Sequence, residues 1–347
     1  MAEERRHLRP PKGELALIAA IRERALRQGR GKSRMLVLGI GDDCAVLRPT
    51  RGEDLVVTTD LSLEKVHFRR DWHPPESVGH RCLARGLSDL AAMGARPQAA
   101  FLSLSLPRTL SGRWAERFLE GLMLLAESYG VPLAGGDTAE SPSELGTRKG
   151  GLVTADIVLL GSVPSGKALL RSGALAGDVV YVTGLLGGAA AELRALGKHP
   201  AAVRKNGKVR HPHLYPEPRV DAGRKLLQAR LATAAIDVSD GLSTDLAHLC
   251  EESGLTAVLD AEAIPVDPAA TLQDALHGGE DYELLFTARP KTVIPASLGG
   301  VQVHAIGRMA GRGAKHGPGS LMELRTGNGK RLPLIRGGWE HFRAPRS

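Results

Sequence analysis

Apolar residues along this chain switch repeatedly between a helical and a strand spacing. Leu15, Ile18, Ala19 and Leu26 fall on one stripe of a helix over Glu14 to Gln28, which Gly29 ends. Met35-Leu-Val-Leu-Gly-Ile40 is a short apolar run, read as a buried strand that enters an Asp42-Asp43 turn. Leu55 to Thr59 is a second strand ending at Asp60. Val78, Cys82, Leu83, Leu87 and Leu90 recur at helical spacing from Ser77 to Met93, and Gly94 with Pro97 stops that helix. Phe101 to Leu106 alternates apolar residues with serine, as a half-buried strand does. Trp114, Phe118, Leu122, Leu125 and Tyr129 form another helical stripe. Val131 to Ala134 then leads into Gly135-Gly136-Asp137, and Gly151 to Leu160 reads as a strand.

Pro, Ser and Gly cluster from Gly161 to Lys167, which predicts a boundary between a domain of residues 1–160 and one of 161–347. Asp178 to Thr183 reads as a strand, with Gly184, Gly187 and Gly188 opening a helix. His199 to Arg219 is rich in Lys, Arg, His and Pro and is expected to be a solvated basic loop. Leu231 to Val238 is strand-like. Ser243 or Thr244 is placed to cap a helix carrying Leu246, Leu249 and Cys250, which stops at Gly254.

Composition narrows the class. With 347 residues, 42% hydrophobic and 24% charged, the chain is a soluble globular type of two domains. Aromatics are only 3%, so the core must be built from Leu, Val, Ile and Ala. The net charge of +8 suits anionic ligands such as nucleotides or phosphate esters. Its basic residues are scattered and stacking aromatics are few, which argues against nucleic acid. Cys44, Cys82 and Cys250 lie far apart, make no zinc spacing and are odd in number, so a reducing cytoplasm is expected. Charges follow Met1 and no apolar run approaches a membrane span, so neither a signal peptide nor a membrane partner is expected.

Against that basic background, carboxylates gather beside glycines: Gly41-Asp42-Asp43, Thr58-Thr59-Asp60, Ser88-Asp89, Gly135-Gly136-Asp137-Thr138, Asp237-Val-Ser-Asp240-Gly241 and Gly278-Gly279-Glu280-Asp281. Hard oxygen donors next to residues that permit close backbone approach suit Mg²⁺ ions bridging phosphates. Asp237 and Asp240 end a strand, where like charges this close repel unless a cation neutralises them. A cap explains one of them, not two flanking a serine. Gly31-Lys32-Ser33 fails as a phosphate loop, because position 26 is Leu and a strand follows. Gly184-Leu-Leu-Gly187-Gly188 offers helix amides to an anion, although turn chemistry is the more frequent reason for glycines there. Arg85 and Asp89 can form an i,i+4 ion pair. His67 reads either as an anion ligand or as a core hydrogen-bonding residue, and Tyr129 as core packing or a stacking platform.

Taken in order, Gly39-Ile-Gly-Asp-Asp-Cys-Ala-Val46, Thr58-Thr-Asp60 with Val66-His-Phe68, Leu87-Ser-Asp-Leu-Ala-Ala-Met-Gly-Ala95, Gly135-Gly-Asp-Thr138, Ile236-Asp-Val-Ser-Asp-Gly-Leu242 and Gly278-Gly-Glu-Asp-Tyr-Glu-Leu284 closely resemble the thiamine-monophosphate kinase family. The family lies in the superfamily of aminoimidazole ribonucleotide synthetase. The resemblance runs from about Glu14 to Phe342. It implies a two-domain α/β (α+β) fold. The N-terminal domain would bind ATP and Mg²⁺, with strands forming a barrel across a homodimer, beside a C-terminal α/β domain. ATP and the metals would lie between the domains. The implied reaction is direct transfer of the ATP γ-phosphoryl group to thiamine monophosphate, the last step of thiamine diphosphate biosynthesis.

By the same resemblance, Asp43, Thr58, Thr59, Asp60, Asp89, Asp137, Asp237 and Asp240 are implied to hold several Mg²⁺ ions. Tyr129, Gly136, Asp137, Arg171 and Ser239 match ATP contacts, while His67, Glu280 and Trp339 match thiamine monophosphate contacts. No catalytic residue distinct from the metal cluster is implied. Arg171 suits phosphate by its planar donor fork, and Trp339 suits a cationic ring by its aromatic face. The chain departs from the family pattern at Lys65, where glycine is usual, and at Arg81 and Gly86, where lysine and asparagine are usual. A selenophosphate synthetase would carry a reactive cysteine before Cys44, and a hydrogenase-maturation relative a terminal cysteine. Aminoimidazole ribonucleotide synthetase is the nearest alternative. From other classes, a silent nucleotide-binding protein or a basic RNA-binding module remains to be separated by ATP turnover that depends on thiamine monophosphate.

Overall fold

The computed structural model describes residues 14–29, 33, 35–40, 44–142, 151–201, 210–311 and 321–342. They divide into two compact units, each described by itself. The first comprises Met1–Arg51, Val57–Gly86 and Pro97–Leu160. The second comprises Gly52–Val56, Leu87–Arg96 and Gly161–Ser347.

In the first unit, helix α1 (Glu14–Gly29) precedes the short strands β1 (Leu36–Leu38) and β2 (Val46–Leu47), which pair antiparallel. Strand β3 (Glu53–Leu63), helix α2 (Pro75–Ala92), strand β4 (Arg96–Leu106), helix α3 (Arg113–Ser128) and strands β5 (Leu133–Glu140) and β6 (Thr154–Pro164) follow. A four-stranded sheet has the order β3-β6-β4-β5, with β4 and β5 parallel. The helical stripes behave as their spacing predicts. Val78, Cys82 and Leu83 on α2 and Phe118, Leu119 and Leu122 on α3 are buried. Trp114 stacks on Phe118 one turn on, with ring centroids 5.6 Å apart. On β4, Leu102, Leu104 and Leu106 are buried whereas Ser103 is exposed, the inside-outside alternation expected of a sheet with one covered face.

The second unit holds strands β7 (Val179–Thr183), β8 (Ala234–Asp237), β9 (Leu255–Asp260), β10 (Leu284–Ala288), β11 (Ser297–Leu298), β12 (Val301–Gly311), β13 (Met322–Arg325) and β14 (Arg331–Pro333). Helices α4 (Gly188–Lys198), α5 (Val220–Gln228), α6 (Leu242–Ser253) and α7 (Leu272–His277) accompany them. The strands run β14-β13-β9-β12-β7-β10-β8, with β11 beside β12. Strand β10 is antiparallel to both neighbours and every residue in it is buried. A continuous apolar core joins Val180, Ile236, Leu246, Leu249, Leu259, Leu285 and Ile306. Leu, Val, Ile and Ala dominate it, as the low aromatic content requires.

Two expectations about element ends change. Strand β3 continues through Asp60 to Leu63, so Thr58, Thr59 and Asp60 sit in mid-strand and not at its close. Asp137 likewise lies within β5. An aspartate inside a strand is against local propensity. Its presence there is a sign that something other than strand formation selects it. The basic loop is described only in part, since residues 202–209 lie outside the described residues, as do Gly31 and Lys32. Among the described residues no helix is long and apolar enough to cross a membrane.

Candidate active site

In the first unit, the middle of β3 presents Thr58, Thr59 and Asp60. Thr59 Oγ1 donates to Asp156 Oδ1 on β6 at 2.9 Å, and Arg85 Nη2 of α2 lies 2.5 Å from Asp60 Oδ1. Arg85 thus serves Asp60, a partner remote from it in sequence. Gly136 on β5 has φ of 147°, and a Cβ there would fall 1.9 Å from the Leu102 carbonyl oxygen, so only glycine fits. Asp137 beside it is exposed, its Oδ1 accepting the Thr138 N–H at 2.8 Å. A cavity of about 410 Å³ opens here, lined by Ile18, Ile21, Phe101, Leu102, Gly136 and Asp137. Tyr129 ends α3, half-buried. Asp43 lies outside the described residues.

His67 closes a turn from β3. Its Nδ1 accepts the Leu63 N–H at 3.0 Å, and Arg81 Nη2 donates to its backbone carbonyl at 3.1 Å. The turn forces Lys65 to φ of 71°, which explains why glycine suits that position better. Two of the sequence departures thus meet in one place, and Arg81 supports the turn that Lys65 strains.

In the second unit, Asp237 ends β8, nearly fully buried, and accepts a 2.6 Å hydrogen bond from Ser88 Oγ on the last turns of α2. Asp89, the next residue, is half-buried. Ser239, Asp240 and Gly241 then form the loop into α6. Their N–H groups all point at one atom: Asp245 Oδ2 accepts from Ser239 at 3.0 Å, from Asp240 at 3.1 Å and from Gly241 at 3.0 Å. Helix α6 is consequently capped at Gly241 without a side-chain cap bond, correcting the expectation for Ser243 or Thr244. Those two hydroxyls instead bind the distant C-terminal segment. Ser243 Oγ accepts the Gly337 N–H and Thr244 Oγ1 the Gly338 N–H, each at 3.2 Å. Trp339 N then donates to the Asp240 carbonyl at 3.0 Å, while the indole stays 53% exposed. A Cβ at Gly338 would lie 2.0 Å from that same carbonyl oxygen, so the Gly-Gly pair is what lets Trp339 approach the loop.

The Gly278–Leu284 segment joins from the other side. Glu280 N donates to the Ser239 carbonyl at 2.7 Å and Tyr282 N to the Val238 carbonyl at 2.9 Å. Glu280 and Tyr282 adopt φ of 70° and 51°, strained for side chains of this size. His213 Nδ1 stands 3.1 Å from Glu280 Oε2. Arg171 is exposed, and its carbonyl accepts the Ser253 Oγ hydrogen bond at 2.8 Å near the end of α6. Burial, followed by the charges of Arg336 and Arg171, holds the nearby His248 imidazole below its usual range.

Sequence reasoning assigned no role to three buried carboxyl groups here. Besides Asp245, Glu283 is fully buried, with Arg219 donating to it at 2.6 and 2.8 Å and Thr183 Oγ1 at 2.7 Å. Asp281 accepts the Gly187 N–H at 2.6 Å and the Ala189 N–H at 3.1 Å. The helix amides that looked open to a foreign anion are therefore occupied by the chain's own carboxyl. Burial pushes Asp281 up to about 7 from an ordinary 3.8. Because the folded form then binds a proton that the unfolded form has lost, stability falls as pH rises through that window. Melting temperatures across it are expected to drop with rising pH in the wild type and to change less in Asp281→Asn. An equal slope in both would remove Asp281 as the cause.

Mg²⁺ can be tested against the donor set. Asp237 and Asp240 offer only hard oxygens. Burial first, then the charges of Asp237 and Asp240, pushes the Asp245 carboxyl well above the usual carboxylate range. A divalent cation would relieve such a field, and the donor chemistry fits one. Among the described residues no group of three or more His, Cys, Asp or Glu side chains is gathered as a protein-only metal cage. Mg²⁺ usually takes one or two carboxylates and completes its shell with substrate phosphates and water, so no such cage is required.

These features define a two-domain α/β protein of the aminoimidazole ribonucleotide synthetase-related class. The AIR synthase related protein N-terminal domain matches residues 41–163 and the C-terminal domain matches residues 176–316. The thiamine-monophosphate kinase of Salmonella typhimurium is 37% identical over 312 residues, covering 86% of this chain and 90% of the relative. The crystal structure of the thiamine-monophosphate kinase from Stenotrophomonas maltophilia is 34% identical, covers 90% of this chain and 96% of that one, and superposes with a TM-score of 0.73. The structure of AaThiL complexed with AMPPCP and TMP is 29% identical over 95% of this chain and 97% of that one, at a TM-score of 0.69. The chain belongs to the thiamine-monophosphate kinase family.

Proposed function

We propose that this chain carries out its family's reaction, the phosphorylation of thiamine monophosphate to thiamine diphosphate, by moving the γ-phosphoryl group of ATP directly onto the substrate phosphate. One observation carries the reading. The short loop after Asp237 bears Ser239 and Asp240, and its carbonyls bind the backbones of both Glu280 and Trp339. Carboxylates for cations, a hydroxyl for a nucleotide and an exposed aromatic face are thereby gathered around one loop. The relative complexed with AMPPCP and TMP supports the same pair of substrates.

The attacking phosphate oxygen is already anionic, so the chain needs no strong base. Its task is to align two polyanions that repel each other. Asp60, Asp89, Asp137, Asp237 and Asp240, with Thr58, Thr59 and Asp43, would hold Mg²⁺, which when bound supplies charge neutralisation between the phosphates. Tyr129, Gly136, Arg171 and Ser239 would receive ATP; Gly136 does so by letting backbone approach the phosphates. His67, Glu280 and Trp339 would receive the thiamine portion. Residues 1–160 would then act as the nucleotide, Mg²⁺ and dimerisation domain, with residues 161–347 as its C-terminal α/β companion. Thiamine diphosphate formation from ATP and thiamine monophosphate, assayed with and without Mg²⁺, tests the reading, and product formed equally well in excess chelator would refute its metal part.

Trp339→Ala is expected to raise the KM for thiamine monophosphate more than that for ATP. Lost stacking on a cationic ring is worth about 0.5–2 kcal/mol. Since half of the indole is exposed, the melting temperature should scarcely move. Equal effects on both substrates, or a lower melting temperature with unchanged constants, would favour a structural anchor.

The exposed face of β3 supports a homodimer. This edge strand exposes Leu55, Val57 and Leu61 at 44, 60 and 46%, an apolar stripe along an open edge. Such an edge invites pairing or aggregation unless covered. A second copy of the chain covering it would complete a barrel. Light scattering at micromolar concentration should give a dimer that Val57→Asp dissociates, and a monomeric wild type would contradict this.

A further inference from the structure

Within the second unit, the loop after Asp237 is held from inside by one atom and holds two other segments from outside. A trans peptide plane points its N–H and C=O in opposite directions. The plane between Ser239 and Asp240 therefore links two bonds. Its N–H is taken by Asp245 Oδ2, and its carbonyl accepts from Glu280 N. The next plane repeats the pattern, with the Gly241 N–H on Asp245 Oδ2 and the Asp240 carbonyl accepting from Trp339 N. Rotating either plane to free its N–H would swing away the carbonyl that holds Glu280 or Trp339.

We propose that Asp245 is a positioning residue that couples the thiamine-binding side of the site to its phosphate-binding side, by fixing the two peptide planes from which Glu280 and Trp339 are suspended beside Asp237 and Asp240. The proposal rests on the reading of those four residues given above. Asp245 is 2% exposed, and its oxygen is spent on three amides. It acts through the loop and touches neither substrate. The strained backbone of Glu280 adds to the demand, since φ of 70° persists only where neighbours over-determine it. Without the Ser239 carbonyl to hold its N–H, Glu280 has an incentive to relax to an ordinary conformation and leave its place.

Geometry and charge separate in two variants. Asp245→Asn removes the charge but keeps a carbonyl oxygen at the same reach. Asp245→Glu keeps the charge but displaces the oxygen by one methylene. In the full-length protein, Asp245→Asn is expected to keep both KM values within about threefold of wild type. A displacement near 1 Å can reduce the rate about a hundredfold, so Asp245→Glu is expected to raise the KM for thiamine monophosphate and the Mg²⁺ requirement together, each by about tenfold or more. Should Asp245→Glu not fold, Asp245→Ser leaves the amides to water and carries the same expectation. The reverse order, with Glu active and Asn impaired, would make Asp245 a cation ligand and overturn the proposal. Calorimetric binding of thiamine monophosphate to these variants and to Trp339→Ala locates a failure. If Trp339→Ala weakens binding while Asp245→Glu does not, the coupling is overturned and the site reading stands. If neither weakens it, both fall.

Discussion

Asp137→Asn is expected to lower kcat by about a hundredfold or more, in line with the loss of one charge-stabilising group at a phosphoryl-transfer site. The reason lies in what Asp137 does not do for the fold. Its side chain is exposed within β5, and among the described residues its Oδ1 accepts only the adjacent Thr138 N–H. Asparagine keeps the shape and the acceptor oxygen and removes only the charge. Surface substitutions of this kind usually change stability by less than about 0.5 kcal/mol. A large activity loss at an unchanged melting temperature would therefore report a lost cation contact. Asp60→Asn should lose activity too, but it also removes the charge facing Arg85, so its stability is expected to fall and the comparison is less direct. Near wild-type turnover in both variants would remove the first unit's carboxylates from the reaction.

The largest effect on stability is expected at Arg219. Removing one partner of a buried ion pair typically destabilises by about 3–5 kcal/mol, because the other charge is left buried. Glu283 is fully buried and receives both Arg219 and the Thr183 hydroxyl, while its own carbonyl accepts the Val238 N–H at 2.7 Å. Arg219→Met should thus lower the urea midpoint sharply. The double variant Arg219→Met/Glu283→Gln should recover much of the loss, since no buried charge remains. Equal destabilisation in the single and double variants would show that packing of the Arg219 stem, not the charge, sets the effect. Glu283 also braces Val238, so the single variant is expected to weaken thiamine monophosphate binding, with partial return in the double variant.

Much of the fold was legible because periodicity reports burial directly. The stripes of α2 and α3, the alternation of β4, and Gly254 as the stop of α6 are all properties of residues close in sequence. The site was legible through its motifs, which the resemblance joined into a family. What could not be read were contacts made between a side chain and a remote backbone. Ser243 and Thr244 looked like caps because hydroxyls near a helix start usually are. They instead bind Gly337 and Gly338, 94 positions away, and no local pattern records that separation. Arg85 offered itself locally to Asp89, and no local pattern records that a strand brings Asp60 within its reach. The helix amides near Gly187 looked vacant, yet Asp281 fills them from 94 residues further on. Asp245 gave the one usable sign, an acid in the first turn of a helix after glycine, where a carboxylate favours the amide ends.

The account stands most directly on the fate of the γ-phosphoryl group. ATP labelled at the γ-phosphorus, mixed with thiamine monophosphate, Mg²⁺ and the full-length protein, should yield thiamine diphosphate carrying all of the label in its terminal phosphate. ADP should form in equal amount, and none without thiamine monophosphate. Label recovered as inorganic phosphate, or ATP consumed at the same rate in the absence of thiamine monophosphate, would contradict direct transfer.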